Sequence, residues 1–380
     1  MGAGSSTRAP QNDVDAVVAA CAECDGHVLL LRVVGASTAR VLPRGPALAQ
    51  AWRALPYQGA IDVQLATEDT RKRGYGHDRG VVAAETVRIE GLAEPSDNGW
   101  GAPREFRTTD GVIVARLATP AAVLAPRKLF LVRHAESTWN RATRLGDVAT
   151  MLGDVDHGLT KLGAGQCAKL QRRVAAPRVS DAERAFGSAG VVFSSPSRRT
   201  VQTALLGLSG HPALVKMPVV LRAELREVRT AHGRDNVARV SGVAVRSQAL
   251  AGLVEGEYPA VDSSAVQHRW WASSAEDAQA VARRVDRALA QLALRPESSA
   301  IFVSHSKFIR CMFRAEGGED CSFARGKVVN CGVVAVDVAF DAPAGSRLVD
   351  PELLFGATFS TVDSRASLLE SISRWSLNYH

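Results

Sequence analysis

Two histidines, two arginines and a carboxylate stand at comparable points of this sequence, each just beyond a short apolar run. Arg133-His134-Ala135-Glu136-Ser137-Thr138-Trp139-Asn140 follows Leu129-Phe130-Leu131-Val132, and Ser194-Ser195-Pro196-Ser197-Arg198-Arg199 follows Val191-Val192-Phe193. Leu225-Arg226-Glu227 comes after Pro218-Val219-Val220-Leu221, and Ser304-His305-Ser306 after Ile301-Phe302-Val303. An exposed imidazole beside two guanidinium groups is a poor structural arrangement, because like charges repel. A dianionic phosphate placed among them reverses the sign of the interaction. Neutral His134 is then a nitrogen nucleophile that attacks phosphorus in line and becomes a phosphohistidine. Arg133 and Arg199 clamp the non-bridging oxygens with their planar forks. His305, kept protonated by the phosphate, adds a donor, and Glu227 serves as general acid and then as the base that activates water. This chemistry requires neither a metal ion nor a cofactor.

The surrounding pattern supplies elements to position these groups. Residues 128–132, 191–193, 218–221 and 301–303 read as strands, with a last strand at 331–338. Between them, residues 160–174 (with Thr160 as N-cap), 197–208 and 274–294 have helical periodicity. Such alternation predicts an α/β fold with a mainly parallel, doubly wound sheet flanked by helices. Sites in these sheets form at the carboxyl ends of the strands. The expected domain spans residues 127–345, with a C-terminal extension at 346–380. Ahead of it, residues 14–120 read as a small β-rich module with strands at 27–34, 61–65, 85–89 and 111–117. One helical stretch at 47–55 interrupts that module, and residues 71–76 and 96–101 read as exposed loops. Residues 1–13 are small and polar and read as disordered.

Composition bounds the remaining possibilities. With 380 residues, 46% hydrophobic and 22% charged, the chain is neither a disulfide-stapled miniprotein nor a disordered tail, and its length suits about two domains. The 46 basic against 39 acidic residues give a net charge of +7, which admits nucleic acid, anionic lipid or a small phosphorylated molecule as partner. The basic residues are mostly arginines scattered among acidic ones, and no helix-turn-helix, zinc-finger or RNP-like segment is visible, so nucleic acid is not expected. Cys21 and Cys24 have a metal or redox spacing that nothing completes, and Cys167, Cys311, Cys321 and Cys331 read as small buried hydrophobes. No apolar leader follows the initiator, so a cytoplasmic protein is the expectation. Met1-Gly2-Ala3-Gly4-Ser5-Ser6 fits an N-myristoylation signal at Gly2, the alternative being a start that happens to be rich in small residues. A single acyl chain would give only marginal membrane association.

Taken together, the segment from Lys128 to Val338 resembles the histidine phosphatase superfamily, with its phosphoglycerate mutase-like fold. The carriers are residues 131–140, the phrase Asp156-His157-Gly158-Leu159-Thr160-Lys161-Leu162-Gly163-Ala164-Gly165-Gln166, the stretch from Ser195 to Thr203, Leu225-Arg226-Glu227, and Val303-Ser304-His305-Ser306. The resemblance implies a phosphorylated His134, a phosphate pocket lined by Arg133, Asn140, Arg199 and His305, and Glu227 as acid in preference to Glu224. It further implies that residues 228–258 cover the site and shape specificity. Arg229, Arg234, Arg239 and Arg246 there read as a solvated face, with contact to a second anionic group of the substrate as the alternative. His157, His211, His232 and His268 are expected to face solvent. Ala135 and Ser306 stand where the family usually has glycine, and both are small enough to leave room for phosphate. The mutase branch carries Glu-Arg-His-Tyr-Gly where this chain has Leu225-Arg226-Glu227-Val228-Arg229, which favours hydrolysis. The expected activity is therefore hydrolysis of a small phosphorylated metabolite or a phosphoprotein. The alternatives are a phosphoglycerate-type mutase, or a membrane-associated binding protein with a silent phosphatase domain.

Overall fold

The computed structural model describes residues 96–360, except 103, 109–110, 119–121, 123, 231–233, 254–255, 318–320 and 342–344, and before residue 96 the backbone of four strands. The acylation signal at Gly2, the helical stretch at 47–55, the loop at 71–76 and His232 lie outside the described residues. The chain divides into two units, Met1–Leu124 with Ala342–Gly345, and Ala125–Asp341 with Ser346–His380. Strands of the first unit are β1 (Val17–Cys24), β2 (His27–Val34), β3 (Ala60–Glu68), β4 (Val81–Glu90), β5 (Arg104–Thr108) and β6 (Gly111–Ala118). Antiparallel pairing orders four of them β1-β2-β6-β5 and joins β3 to β4. The segment at 96–101 is a turn in which Ser96 and Asn98 hold Trp100, and Trp100 and Gly101 are buried where an exposed loop was expected.

The second unit carries the apolar runs. Its strands are β7 (Arg127–Arg133), β8 (Val191–Ser194), β9 (Val219–Leu221), β10 (Val261–Asp262), β11 (Ser299–Ser304), β12 (Gly326–Val328), β13 (Val333–Asp341), β14 (Gly345–Phe355) and β15 (Thr358–Ser360). Its helices are α1 (Thr138–Leu145), α2 (Val148–Gly153), α3 (Lys161–Ala175), α4 (Asp181–Gly187), α5 (Arg198–Gly207), α6 (Pro212–Lys216), α7 (Val243–Leu250), α8 (Ala278–Ala293), α9 (Ser306–Glu316) and α10 (Ser322–Arg325). Seven strands form one sheet in the order β10-β9-β8-β11-β7-β13-β14. The first five run parallel and β13 is antiparallel to β7. This is the mainly parallel, helix-flanked sheet that the sequence pattern predicts.

Both faces of the sheet are covered, which is why its central strands are apolar without alternation. Phe130 and Val132 of β7 join one core with Ile301 and Val303, under Cys167, Leu170 and Val174 of α3 and Val201, Ala204 and Leu205 of α5. Leu129 and Leu131 face the other way, with Ala300 and Phe302, onto Val281, Val285 and Leu289 of α8 and Phe308, Met312 and Phe313 of α9. Each fully buried leucine or phenylalanine contributes roughly 2 kcal/mol relative to exposure.

Two boundaries differ from expectation. The sheet runs on past 345, because β14 covers the outer edge of β13 and buries Leu348 and Phe355, while β15 pairs with β12. An unpaired β13 edge would leave a row of backbone donors and acceptors exposed. The long helix α8 begins at Ala278, four residues after the expected start at Ser274. Asp277 caps it by accepting from the Ala280 N–H, and the preceding Glu276 is held by Arg226 and Arg284. Among the described residues, no helix is long and apolar enough to cross a membrane.

Candidate active site

Parallel β7, β8 and β11 end on the same side of the sheet, and each end leads into the amino terminus of a helix: α1, α5 and α9. Three helix dipoles thus present their positive ends to one region, which favours an anion there. Arg133 is the last residue of β7 and His134 follows it; Arg199 is the second residue of α5; His305 is the N-cap of α9.

The His134 and His305 rings meet edge to face, their centroids 5.1 Å apart. His134 Nδ1 lies 2.7 Å from the Ala135 carbonyl, which can only accept, so Nδ1 carries the proton and Nε2 keeps its lone pair. Burial, and then the Arg199 and Arg133 charges, hold the imidazole well below the usual histidine range. It is therefore neutral at physiological pH. The loop that bears it is fixed through its backbone. The His134 N–H donates to the Ser304 carbonyl, Asn330 Nδ2 donates to the His134 carbonyl at 2.7 Å, and the Ala135 N–H donates to Thr203 Oγ1 at 3.0 Å. Further along, Glu136 accepts from Thr160 Oγ1 and pairs with Arg144. Gly163 packs so closely on the Glu136 backbone that a Cβ there would collide with the carbonyl. Cys331, at φ 60, holds the tight turn that brings Asn330 to His134 and lets its own N–H donate to the Arg133 carbonyl.

Arg199 is almost wholly buried, at 1% exposure. Its Nη1 donates to the Asp235 main-chain carbonyl at 2.8 Å, and its Nη2 faces both Asp235 Oδ2 at 3.4 Å and His305 Nδ1 at 3.2 Å. Because the guanidinium only donates, His305 Nδ1 accepts and Nε2 carries the proton toward Ser195 Oγ, 2.9 Å away. Burial, and after it Arg199, push His305 well below the usual range, so without phosphate it too is neutral. The carboxyl of Asp235 is raised by burial and pulled back by Arg199.

Arg133 Nη1 donates to the Val328 carbonyl at 2.6 Å, while its Nε is buried without a hydrogen-bond partner. Burial brings this guanidinium down to about 10, opposed chiefly by Glu227. The Glu227 carboxylate caps α9. Its Oε1 accepts from the N–H groups of Val228 at 2.8 Å and Phe308 at 2.9 Å, and its Oε2 accepts from that of Lys307 at 3.2 Å. Glu224 is buried elsewhere and lines a small cavity with Phe193, Arg222, Leu225, Ala288, Gln291 and Phe302. Asn140 stands at the third position of α1, where its Oδ1 accepts from the Ser137 N–H to close a capping box. Among the described residues, no group of three or more His, Cys, Asp or Glu side chains is gathered to hold a metal ion.

The family model of the histidine phosphatase superfamily (branch 1) matches residues 129–237 and 248–351, together more than half of the chain. The chain belongs to this superfamily. No curated protein matches it. Among solved structures it is similar to the ecdysone phosphate phosphatase of Bombix mori in complex with tungstate, at 17% identity and a TM-score of 0.40, over 64% of this chain and 99% of that one. It is also similar to a phosphoglycerate mutase from Bacillus anthracis (16% identity, TM-score 0.38, 60% and 92% covered). A mycobacterial glucosyl-3-phosphoglycerate phosphatase in complex with VO3 gives 16% identity and a TM-score of 0.37, with 60% and 98% covered.

In this histidine phosphatase domain the imidazole and guanidinium groups differ from expectation in one respect: they are buried. Arg133, His134, Arg199 and His305 are each exposed by 4% or less. His157 and His211 are also buried, where solvent-facing side chains were expected, because each has a partner. His211 caps α6 by accepting from the Ala213 N–H, and its other nitrogen donates to the Phe186 carbonyl; His157 bonds Thr138 and packs on Trp139. His268 is exposed. Cys167 and Cys331 are buried, but Cys311 and Cys321 are half-exposed. Arg234 and Arg239 are exposed and Arg229 and Arg246 half-buried, so the cap arginines are only partly a solvated face. Asp235, Ser195, Thr203 and Asn330 were not singled out from sequence. The one available signal was the Ser195–Arg199 spacing, since Asp235 and Asn330 have no motif of their own.

Proposed function

We propose that the chain is a phosphomonoester hydrolase that works through a phosphohistidine on His134, without a metal ion. The observation that carries this reading is the neutral His134, whose Nδ1 proton is committed to Ala135, which leaves the Nε2 lone pair uncommitted on a ring that meets His305 edge to face and feels the charges of Arg199 and Arg133. In the first step Nε2 forms a bond to phosphorus as the bond to the leaving oxygen breaks. Glu227 gives its proton to that oxygen. Oε2, with only one long amide contact, is the oxygen free to carry it. Arg133, Arg199 and the Nε2–H of His305 hold the non-bridging oxygens, while Nδ1 of His305 goes on accepting from Arg199. In the second step Glu227 accepts a proton from water, whose oxygen attacks phosphorus, and inorganic phosphate leaves as the P–N bond breaks.

The test is rapid quenching of the protein with labelled p-nitrophenyl phosphate in EDTA. A phosphoryl group that is labile in acid, stable in base and absent from His134→Ala is expected. No labelled protein at any quench time, while phosphate is still released, would rule out the covalent route.

Asp235 gives a second expectation. Its carboxylate occupies the Arg199 fork that a phosphate must enter, and its charge opposes the dianion. Asp235→Asn keeps the main-chain acceptor and removes the charge, so KM for p-nitrophenyl phosphate should fall about 3- to 10-fold, on the order of 1 kcal/mol. An unchanged or raised KM would show instead that the charge is needed to aim Arg199.

A further inference from the structure

Glu227 lies on a stretch of chain with no regular ladder of its own: after a short 3-10 turn at Ala223–Leu225 the backbone runs irregularly past Arg229. Its carboxylate is met by the main-chain N–H groups of Val228, Lys307 and Phe308, so its aim follows the path of this stretch and the start of α9. The three carbonyls that precede it each receive a side-chain donor. Arg284 Nη1 donates to the Glu224 carbonyl at 2.7 Å and to that of Arg226 at 2.6 Å, and Ser304 Oγ donates to that of Leu225 at 2.7 Å. The other edge of the same guanidinium, Nε and Nη2, meets the two oxygens of Glu276 at 3.0 and 3.1 Å. Glu276 in turn closes on the chain beyond Glu227. Its Oε2 accepts from the Arg229 N–H at 2.9 Å, its own N–H donates to the Arg229 carbonyl at 3.0 Å, and Oε1 accepts from Arg226 Nη2 at 2.8 Å. Arg284 also lies over the Phe308 ring, 4.6 Å from its centroid, and it is the Phe308 N–H that holds Glu227.

Arg284 is fully buried, at 0% exposure, and its desolvation has to be offset by its partners. Burial, and after it Arg226, bring the guanidinium down to about 10 with Glu276 opposing, so it stays cationic at neutral pH. Apolar side chains would fill the same volume at no such cost. What only the planar fork supplies is direction: it fixes the chain before Glu227 itself and the chain after it through Glu276. We propose that Arg284 and Glu276 are positioning residues of the hydrolysis, a clamp that holds the backbone of Glu227 so that its free oxygen meets the leaving oxygen of the substrate. The proposal rests on Glu227 being the general acid, through which both side chains act. With the clamp loosened, the proton donor strays from the leaving oxygen, while the His134 loop keeps its own contacts to Ser304, Asn330 and Thr203. The loss then falls on protonation of the leaving group, and a misplacement of about 1 Å costs up to about 10²-fold.

A leaving group that needs no proton separates this role from a merely structural one. With the full chain, kcat/KM would be measured for phenyl phosphate, whose phenolate leaves poorly unless protonated, and for dinitrophenyl phosphate, whose stabilised anion leaves unaided. Arg284→Lys keeps a cation for Glu276 but not the fork. It should lower kcat/KM for phenyl phosphate about 10- to 100-fold and for dinitrophenyl phosphate about threefold or less. The double variant Glu276→Gln with Arg284→Met, which leaves neither charge of the pair buried alone, should show the same bias. The ratio between the two substrates does not depend on how much of a variant is folded, because both read the same active fraction. Glu227→Gln is the reference and should show the bias in full, at about 10²-fold or more. Equal losses on both substrates in the clamp variants, or no loss, beside a biased Glu227→Gln, would overturn the positioning role and leave Glu227 as the acid. An unbiased Glu227→Gln would count against Glu227 as the acid and take the clamp with it.

Discussion

Replacement of His134 by alanine is expected to lower kcat/KM toward p-nitrophenyl phosphate by at least about 10³-fold, measured in EDTA by phosphate release. Removal of a covalent nucleophile takes away the whole two-step route and leaves only binding and charge stabilisation, for which losses of that order or greater are usual. The variant should fold, because the loop is held by backbone contacts that do not involve the ring: His134 N–H to Ser304, the His134 carbonyl to Asn330, and Ala135 N–H to Thr203. Its melting temperature, read beside the kinetics, separates lost chemistry from lost structure. Glu227→Gln added to His134→Ala should cost little more, since the two groups act on the same bond-breaking step and their effects are not additive. A His134→Ala protein that retains a tenth of the activity would sink the mechanism.

Asp156→Asn is expected to stabilise the protein progressively as pH rises. Asp156 is buried at 1% exposure, in left-handed backbone at φ 52, and accepts from the Arg198 N–H at the start of α5. Its other oxygen is buried without a hydrogen-bond partner. Burial raises the carboxyl from 3.8 to about 7, against the pull of that amide and of Arg199 and Arg198. Between those values the unfolded chain has released the proton and the folded chain still binds it. The stability this group contributes is thus complete at low pH, falls as pH rises and is gone above about pH 7, a change on the order of 4 kcal/mol. Asparagine keeps the acceptor for Arg198, tolerates the left-handed backbone and does not ionise. Urea melts should therefore show no advantage for Asp156→Asn near pH 4 and one of about 2–4 kcal/mol at pH 8. A difference that stays flat across that range would mean Asp156 does not titrate as described.

Much of the fold was legible because its signals are local. The run Leu129-Phe130-Leu131-Val132 has no polar residue to turn outward and so reads directly as a central strand. Thr160 reads as an N-cap from its type and position, and it accepts from the Gly163 N–H. The edge of the sheet was less legible. Residues beyond 345 carry no strong signal, and their strand is specified by the exposed flank of β13. His211 illustrates the same limit: its surroundings suggested solvent, and its burial depends on Phe186, 25 residues away.

The sequence by itself determined which chemistry was available. His134, Arg133, Arg199 and His305 each follow an apolar run within a few residues, and a parallel sheet brings such strand ends together whatever the details of packing. Only the tertiary structure decided the electrostatic state of that chemistry. The neutrality of His134, the Asp235 carboxylate on Arg199, and the different surroundings of Glu224 and Glu227 all depend on burial and on charges distant in sequence. The physical reason is that strand ends are specified by near neighbours along the chain, whereas desolvation and Coulomb interactions act through space and have no value until the chain is folded.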